Sequence, residues 1–521
     1  MNRRGGGERR INLPPPSQPP FHPLTCVGVY SFPSARVNEG NNIRGAMGLI
    51  HSNTYTGRRK ILCDEPVINE KNVVSVLQDA ISVHLQNSAE INYLYRYYTG
   101  KQPILYRVKE IRPEICNRIV ENRANEIVSF KTGYLCGEPL QYVSRGNTDE
   151  VSDGIQRLND FMLLCGKPAK DKELAEWMYI CGTGYRMVMP NAPFIERDVA
   201  PKLKSGRSDF EADEAPFDVY TLDPRSSFVV YHSDLGEKPI LGVKSIARKD
   251  RRFVFSVYSA TWYFEIESDS LLGKFKIVKA EKRPIKYIPI VEYPLNAARQ
   301  GIFEVVLPIL DAINKVQSNR IDGIEQFIQS LIVLTNAEIE EEKARWLRDA
   351  GLISLKSYGE NKAEIRVIAE QLDQQQTQTL IDYLHQTILD IVGMPNRNGG
   401  SSTSDTGSAV QMRDGWETAE AMAKSDELMF KSSETEFLKI VLQIMRTTVG
   451  TALSLSDVEV KFSRRNYANL LTKAQALQTF MACGLSEEDA LSIAGVGTDP
   501  IDIANRIKKT VADPKDGVAI A

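Results

Sequence analysis

Apolar positions recur at helical spacing from Asn72 to Tyr98 (Val74, Leu77, Ile81, Leu85, Ile91, Leu94), and Gly100 stands where a helix C-cap belongs. A second helix is expected at 112–132. Between residues 217 and 292 the period changes to two: "FVVYH", "RRFVFSVYS", "TWYFEIE" and "KFKIV" alternate β-branched and aromatic residues with polar ones, separated by Asp-Pro and Gly-containing turns. That pattern predicts an antiparallel sheet region. Pro308 can open a helix at its first position, and Ile309, Ile313, Val316, Ile324, Phe327 and Leu331 then share one face to about residue 335. Such a rod is roughly 42 Å long. Its polar side carries Asn314, Ser318, Asp322, Glu325 and Gln329.

Residues 337–370 break this periodicity and read as a small inserted module, a short charged helix followed by two strand-like pieces around Gly351 and Gly359. A helix at 372–392 follows, with Leu380, Leu384, Ile388 and Ile391 as a narrow stripe. A very long helix is expected at 407–447, apolar at Ala409, Met412, Trp416, Ala419 and Met422 and again at Phe437, Ile440, Val441 and Ile444, with Gly415 as a bend. The tail combines a strand, "DVEVKFSR", with short helices stopped by Gly484, boxed by Ser486 and Asp489, and capped by Asp499-Pro500. The fold class is α+β.

Between the last two long helices lies "GMPNRNGGSSTSDTGSAVQMRDGW", residues 393–416. Its glycines and hydroxyl residues cannot bury apolar surface, so a flexible loop is expected in the interior of the chain order.

With 42 % hydrophobic and 25 % charged residues, the composition is that of an ordinary globular protein. No apolar run approaches the roughly 18 residues of a membrane span, and the first residues lack a secretory signal. The seven cysteines never form a C-x-x-C pair, and the five histidines are not at metal-ligand spacing, so free thiols and no metal are expected. The net charge of −3 is uneven: residues 1–60 hold nine Lys or Arg against two acids, leaving about −10 on the rest. Residues 1–69 read as a basic, Pro- and Gly-rich disordered arm. The body lacks the basic surplus of a protein that grips nucleic acid by its phosphates.

Catalytic signatures such as the P-loop, H-E-x-x-H and G-x-S-x-G are absent. "CGTGY" at 181–185 reads as a tight turn and Cys181 as a buried thiol. His385, beside Asp382, reads as an ordinary helical histidine. Glu338, Glu340, Glu341 and Glu342 splay around a helix with Lys343, Arg345 and Arg348, a solvated or intersubunit face rather than a metal site. A rival reading is a cytosolic hydrolase working with Cys181 or His385.

"YYTGKQPILYR" and "NRIVENRANEIVSFKTGYLCGEPLQY", then "DFMLLCGKPAKDKELAEWMYICGTGYRMVM", "IPIVEYPLNAARQGIFEVVLPILDAINKVQSNRIDGIEQFIQSLIVL" and "TSDTGSAVQMRD", occur in an order that resembles portal proteins of tailed bacteriophages, the branch of siphophages of Gram-positive hosts. The resemblance covers roughly residues 70–511. It implies a ring of about twelve subunits at one capsid vertex of the virion, assembled in the host cytoplasm, with a central channel for double-stranded DNA packaging and ejection. No enzyme activity, cofactor or membrane contact is implied. Block by block it implies a wing at 70–307, stem helices at 308–336 and 372–393, a clip at 337–371, a tunnel loop at 394–406, a long wing helix at 407–447 and a crown at 448–521. Asn396, Arg397, Asn398, Gly399, Gly400, Ser401, Ser402, Thr403 and Ser404 would line the channel. Glu338, Glu341, Lys343, Arg345 and Trp346 would dock partners at the clip. The partners implied are the terminase large subunit, the scaffold and major capsid proteins, and a head-tail adaptor; the alternative to a portal is another ring-forming head-tail adaptor.

Overall fold

The computed structural model describes residues 57–145, 149–191, 214–249, 252–283, 286–328, 331–335, 364–368, 374–396, 415–463, 470–494 and 503–504. In chain order the elements begin with Ile61–Cys63 (β1), Val73–Tyr98 (α1), Arg123–Cys136 (α2), Gln141–Ser144 (β2), Asp149–Leu164 (α3) and Lys167–Cys181 (α4). Seven strands and a bridging strand before them form the sheet region: Thr183–Pro190 (β3), Phe217–Leu222 (β4), Ser227–His232 (β5), Pro239–Ala247 (β6), Phe253–Ser259 (β7), Trp262–Ser268 (β8), Lys276–Lys282 (β9) and Ile290–Pro294 (β10). Then come Leu307–Ile328 (α5), Leu331–Thr335 (β11), Glu364–Ile368 (β12), Gln374–Val392 (α6), Trp416–Thr448 (α7), Val458–Lys461 (β13), Leu470–Ala482 (α8) and Glu487–Ala494 (α9).

The period-two region folds as antiparallel strands divided between two sheets. One has the order β1-β5-β6-β7-β8-β9, the other β10-β3-β4. Alternation explains the inner face of the first: Val243, Val257, Phe264 and Ile266 point inward on successive strands and meet Val73, Val76, Leu77 and Ile81 of α1. The far end of the same helix, Ile91, Leu94 and Tyr97, belongs to a second core with α2, α4, α6 and α7. One apolar stripe thus serves two cores, which is why α1 runs for 26 residues.

Residues 57–69 correct the expectation of a disordered arm reaching residue 69. β1 pairs in parallel with β5, and Ile61 and Ile68 are buried. Arg58 is buried between Glu90 (3.0 Å) and Glu304 (2.8 Å). Burial pushes the Glu304 carboxyl up to about 7 from 4.5, against the pull of Arg58. The unfolded chain releases that proton near pH 4.5, so the folded state holds more protons between the two values. The contribution of this carboxyl to stability should therefore be fully present below pH 4.5 and be lost, by roughly 3 kcal/mol, as pH rises to 7. Denaturant titrations at pH 5 and 7.5 test this: Glu304→Gln should lose most of that decline, and an identical decline in the variant would refute the assignment.

The helix expected at 112–132 begins only at Arg123. Pro113 disfavours helix at Arg112, which has a positive φ of 53°. The backbone that follows is claimed by α5: Asn117 N–H donates to Asp322 Oδ1 (2.7 Å), Ile119 N–H to Ser318 Oγ (3.0 Å) and Glu121 N–H to Asn314 Oδ1 (2.8 Å). Four helical residues rise about 6 Å and two extended residues span about 6.6 Å, so acceptors at i, i+4 and i+8 match every second N–H. Asn314 and Ser318 are fully buried and Asp322 nearly so. The polar side expected for this rod is thus, at these three residues, packed against residues 117–121 instead of exposed.

Two further element boundaries differ from expectation. α5 ends at Ile328, and Leu331–Thr335 is instead a strand paired antiparallel with Glu364–Ile368. A short apolar run rich in β-branched residues has no periodicity to separate strand from helix. Gly415 does not bend the long helix; it is the N-cap of α7, with φ 80°. Ala409 and Met412 lie outside the described residues. α6 also faces otherwise than the stripe predicted: Ile381, Ile388, Leu389 and Val392 are buried, whereas Leu380 and Ile391 are exposed.

In the tail, β13 pairs antiparallel with β2. Ser486 Oγ accepts from Asp489 N–H (3.1 Å), and Gly484, at φ 88°, closes α8. Asp499-Pro500 lies outside the described residues.

Candidate functional site

The functional candidate is the base from which residues 397–414 depart and to which they return. On the departing side α6 ends in a left-handed turn: Gly393 has φ 61° and Met394 N–H donates to Leu389 O at 2.9 Å. A Cβ on Gly393 would lie 2.1 Å from Met422 Sδ, so α6 closes directly on α7. Lys131, on α2, is buried and donates to Gly393 O at 3.1 Å, adding a cation at the negative end of α6. Burial pulls its pKa down, with Asp426 opposing. Met394 is buried, and Asn396 donates a side-chain hydrogen bond to Gln386 Oε1.

On the returning side, a Cβ built on Gly415 would be 3.9 Å from Pro395 Cα. The two ends therefore meet. α7 is then fastened by its first turns: Trp416 lies 6.2 Å from the rings of both Phe130 and Tyr134, and Tyr134 OH donates to Glu420 Oε2 at 2.8 Å. One helical turn and a half further on, Tyr179 OH donates to Asp426 Oδ2 at 2.9 Å, on a carboxyl that burial pushes up. Both loop ends are held by α2 and α7, whatever the intervening residues do. Of the loop residues predicted from sequence, Asn396 is placed in this base. Arg397, Asn398, Gly399, Gly400, Ser401, Ser402, Thr403 and Ser404 lie outside the described residues, as do the clip residues Glu338, Glu341, Lys343, Arg345 and Trp346.

α5 and α6 pack side by side beneath this base. Arg320 bridges them, donating to Gln374 Oε1 (2.6 Å) and Gln378 Oε1 (2.7 Å). Their outer faces leave Ile324, Leu380, Tyr383 and Ile391 exposed, with Tyr383 at 69 %.

The residues of the rival hydrolase reading do not assemble. Cys181 is fully buried, donates to Trp177 O and Thr183 O at 3.2 Å, and burial pushes its thiol up to about 12, so no thiolate forms near neutral pH. His385 has Nε2 3.8 Å from Glu126, while Asp382 accepts instead from Gln378. Burial, then the nearby Arg123, lower its pKa. Among the described residues, no group of three His, Cys, Asp or Glu side chains could hold a metal.

Sequence reasoning missed a buried charge cluster. Lys167, Asp171, Arg186 and Glu434 are all nearly inaccessible. Lys167 Nζ lies 2.8 Å from Asp171 and 3.0 Å from Glu434, and Arg186 pairs with Asp171 and with Glu434 (3.1 Å). Tyr142 and Tyr293 donate to the two oxygens of Glu434 (2.5 and 2.7 Å). Burial alone would raise the Glu434 pKa, but Lys167, Arg186 and the two hydroxyls hold it below the usual range. The signal available was Glu434 itself, a charge set among the apolar residues Phe430, Phe437 and Leu438 of α7.

The family described as "Phage portal protein, SPP1 Gp6-like" matches residues 77–513, from within α1 to beyond α9. This chain belongs to that family of phage portal proteins. In three dimensions the portal chain resembles a structure titled "Neck of empty GTA particle computed with C6 symmetry", at 10 % sequence identity and a TM-score of 0.42, over 78 % of this chain and 94 % of that one. No curated protein matches it. Portal family membership makes its role that of a structural head-tail connector component. The charge cluster and the loop base are accordingly parts of a portal subunit, and the first of them serves to lock α7 onto the sheet β10-β3-β4.

Proposed function

We propose that this portal protein forms a ring of about twelve subunits at one capsid vertex, with a central channel through which double-stranded DNA is packaged and later ejected. The observation that carries the reading is the loop base: Pro395 and Gly415, which flank the 18 residues 397–414, lie beside one another. A segment tethered at a single point can move without disturbing its scaffold, and Gly, Ser and Asn with Arg397 suit contact with a sugar-phosphate backbone independent of sequence. The exposed Leu380, Tyr383 and Ile391 on α6 and Ile324 on α5 are contact surface for the neighbouring subunit in such a ring. The antiparallel neck β11-β12 holds the ends of residues 336–363 together, which suits a projecting clip that docks the terminase large subunit and later a head-tail adaptor through Glu338, Glu341, Lys343, Arg345 and Trp346. The scaffold and major capsid proteins are the remaining partners of this reading, and the virion vertex its location.

The test is to stiffen the loop. Gly399→Pro with Gly400→Pro locks two φ angles without touching Lys131, Gly393 or Trp416. The purified variant should still run near 700 kDa, twelve times 58.4 kDa. Particles assembled with it should contain far less DNA. Normal DNA content in intact particles would refute the loop's role, and a subunit that never exceeds a small oligomer would refute the ring.

A further inference from the structure

The body of the chain is acidic, yet residues 244–286 carry eleven Lys or Arg against five Asp or Glu. They form the outer half of the large sheet, β6 to β9, remote in sequence from the loop and the two helices that carry the proposed channel. Much of this charge is neutralised in place. Arg248 pairs with Glu265 (3.3 Å) and Glu267 (3.1 Å), Arg252 with Glu267 (3.3 Å), and Lys279 with Glu281 (2.9 Å). A bulge in β9 sets both Lys276 and Lys279 opposite glutamates of β8.

Of the cations of this stretch that make no ion pair among the described residues, Lys244, Lys249 and Lys274 lie elsewhere on the sheet, and three others gather at one end of it. Lys282, Arg283 and Lys286 have no carboxylate partner among the described residues. Lys282 lies over the Trp262 ring (5.5 Å) and Arg283 over Tyr258 (5.4 Å). The Arg283 guanidinium also donates to Ser259 O (3.1 Å) and Tyr287 O (3.0 Å). Rings hold Lys282 and Arg283 in position, and carbonyls Arg283 as well, without cancelling their charge, so less side-chain freedom is lost when an anion binds.

The bland reading is that lysines blunt a free sheet edge against pairing. Lys276 and Lys279 fit it. Lys282 is the last residue of the β8-β9 ladder, opposite Trp262, and Arg283 and Lys286 lie beyond it, where no edge remains to protect. A protein partner would require an apolar centre. The exposed Ile246 and Leu272 sit at the opposite end of these strands, by the β8-β9 hairpin, leaving Tyr287 as the large exposed apolar residue beside the cluster.

We propose that Lys282, Arg283 and Lys286 form a second nucleic-acid contact, a cationic clamp on the wing sheet that binds the phosphodiester backbone of double-stranded DNA without reading its bases. It goes beyond the channel reading, since it concerns different residues and a duplex lying against the sheet. The test uses the full-length protein and a fluorescent duplex of about 30 base pairs titrated at several salt concentrations. Lys282→Glu with Lys286→Glu should weaken binding about tenfold at low salt and make the plot of log affinity against log salt shallower by about two. Lys282→Gln with Lys286→Gln should give the same change of slope with a smaller loss. The basic residues 1–60 are present in every variant, so the difference reports the sheet. Both lysines are exposed, and an unchanged thermal midpoint checks that the fold survives. Gly399→Pro with Gly400→Pro should bind the duplex as the parent does, which separates this contact from the loop. Unchanged affinity and slope in both lysine variants would overturn the proposal, as would displacement of the duplex by polyglutamate at equal charge, the result expected of an acidic protein partner.

Discussion

Replacing Arg186 by methionine is expected to lower the folding stability of this chain by roughly 3–5 kcal/mol. Arg186 is fully buried and faces two carboxylates, Asp171 and Glu434, which it shares with Lys167. With Arg186 gone, two buried anions share one cation, and Glu434 keeps the hydroxyls of Tyr142 and Tyr293 but loses a charge-assisted bond. The penalty is mainly that of an uncompensated buried anion. Replacing all four charged residues by apolar ones of similar volume should therefore cost much less than removing Arg186 alone. Chemical denaturation of the two variants checks both statements. A loss below about 1 kcal/mol for the single variant would mean that water or relaxation solvates the cluster. The cluster matters to the portal role because Glu434 lies on α7 while Arg186 and Tyr293 lie on β3 and β10. The helix that fastens the loop base is thereby tied to the sheet.

Gly182→Ala should be nearly as damaging, and Gly166→Ala much less so. Both glycines have positive φ, 80° and 64°, so each alanine meets a similar conformational penalty of about 1–2 kcal/mol. Their surroundings differ. A Cβ on Gly182 would stand 2.2 Å from the carbonyl carbon and oxygen of Arg299, whereas nothing lies within 4 Å of one on Gly166. Backbone cannot swing aside as a side chain can. Gly182 O also accepts from Leu295 N–H at 2.9 Å, so moving this turn disturbs the segment that leads into α5. The expected cost at Gly182 is roughly 3–5 kcal/mol, the conformational penalty plus overpacking. Thermal unfolding of the two variants side by side provides the measurement, and equal midpoints would show that the close approach to Arg299 carries no energy.

These two sites illustrate how unevenly the sequence reveals the fold. "CGTGY" announces a tight turn, because glycine is the residue that occupies left-handed conformations at little cost. It is silent about Arg299, more than a hundred residues away. The charge cluster is less legible still. Its four members are scattered from Lys167 to Glu434, and only the odd placement of Glu434 within an apolar stripe hints at a buried partner.

The loop base was half legible. Apolar periodicity placed α6 and α7 on either side of a stretch unable to bury surface, which is a local property of Gly, Ser and Asn. That Pro395 and Gly415 lie together, and that Lys131 and Trp416 fasten the two ends, depends on α2 packing across both helices. No window of sequence contains that contact.

By itself, then, the sequence determined the helical and β periods, the antiparallel sheet region, the break between α6 and α7, and the order of blocks that marks a portal protein. These follow from side-chain alternation and local backbone preference, both of which are written in neighbouring residues. Tertiary structure decided what each face meets: the polar stripe of α5 turned to the backbone of residues 117–121, the rotation of α6, the strand at Leu331–Thr335 and the docking of residues 57–69. The physical reason is that a period specifies that an element has two unlike sides, while the partner for each side is settled by which distant groups can satisfy its hydrogen bonds and bury its apolar surface at once.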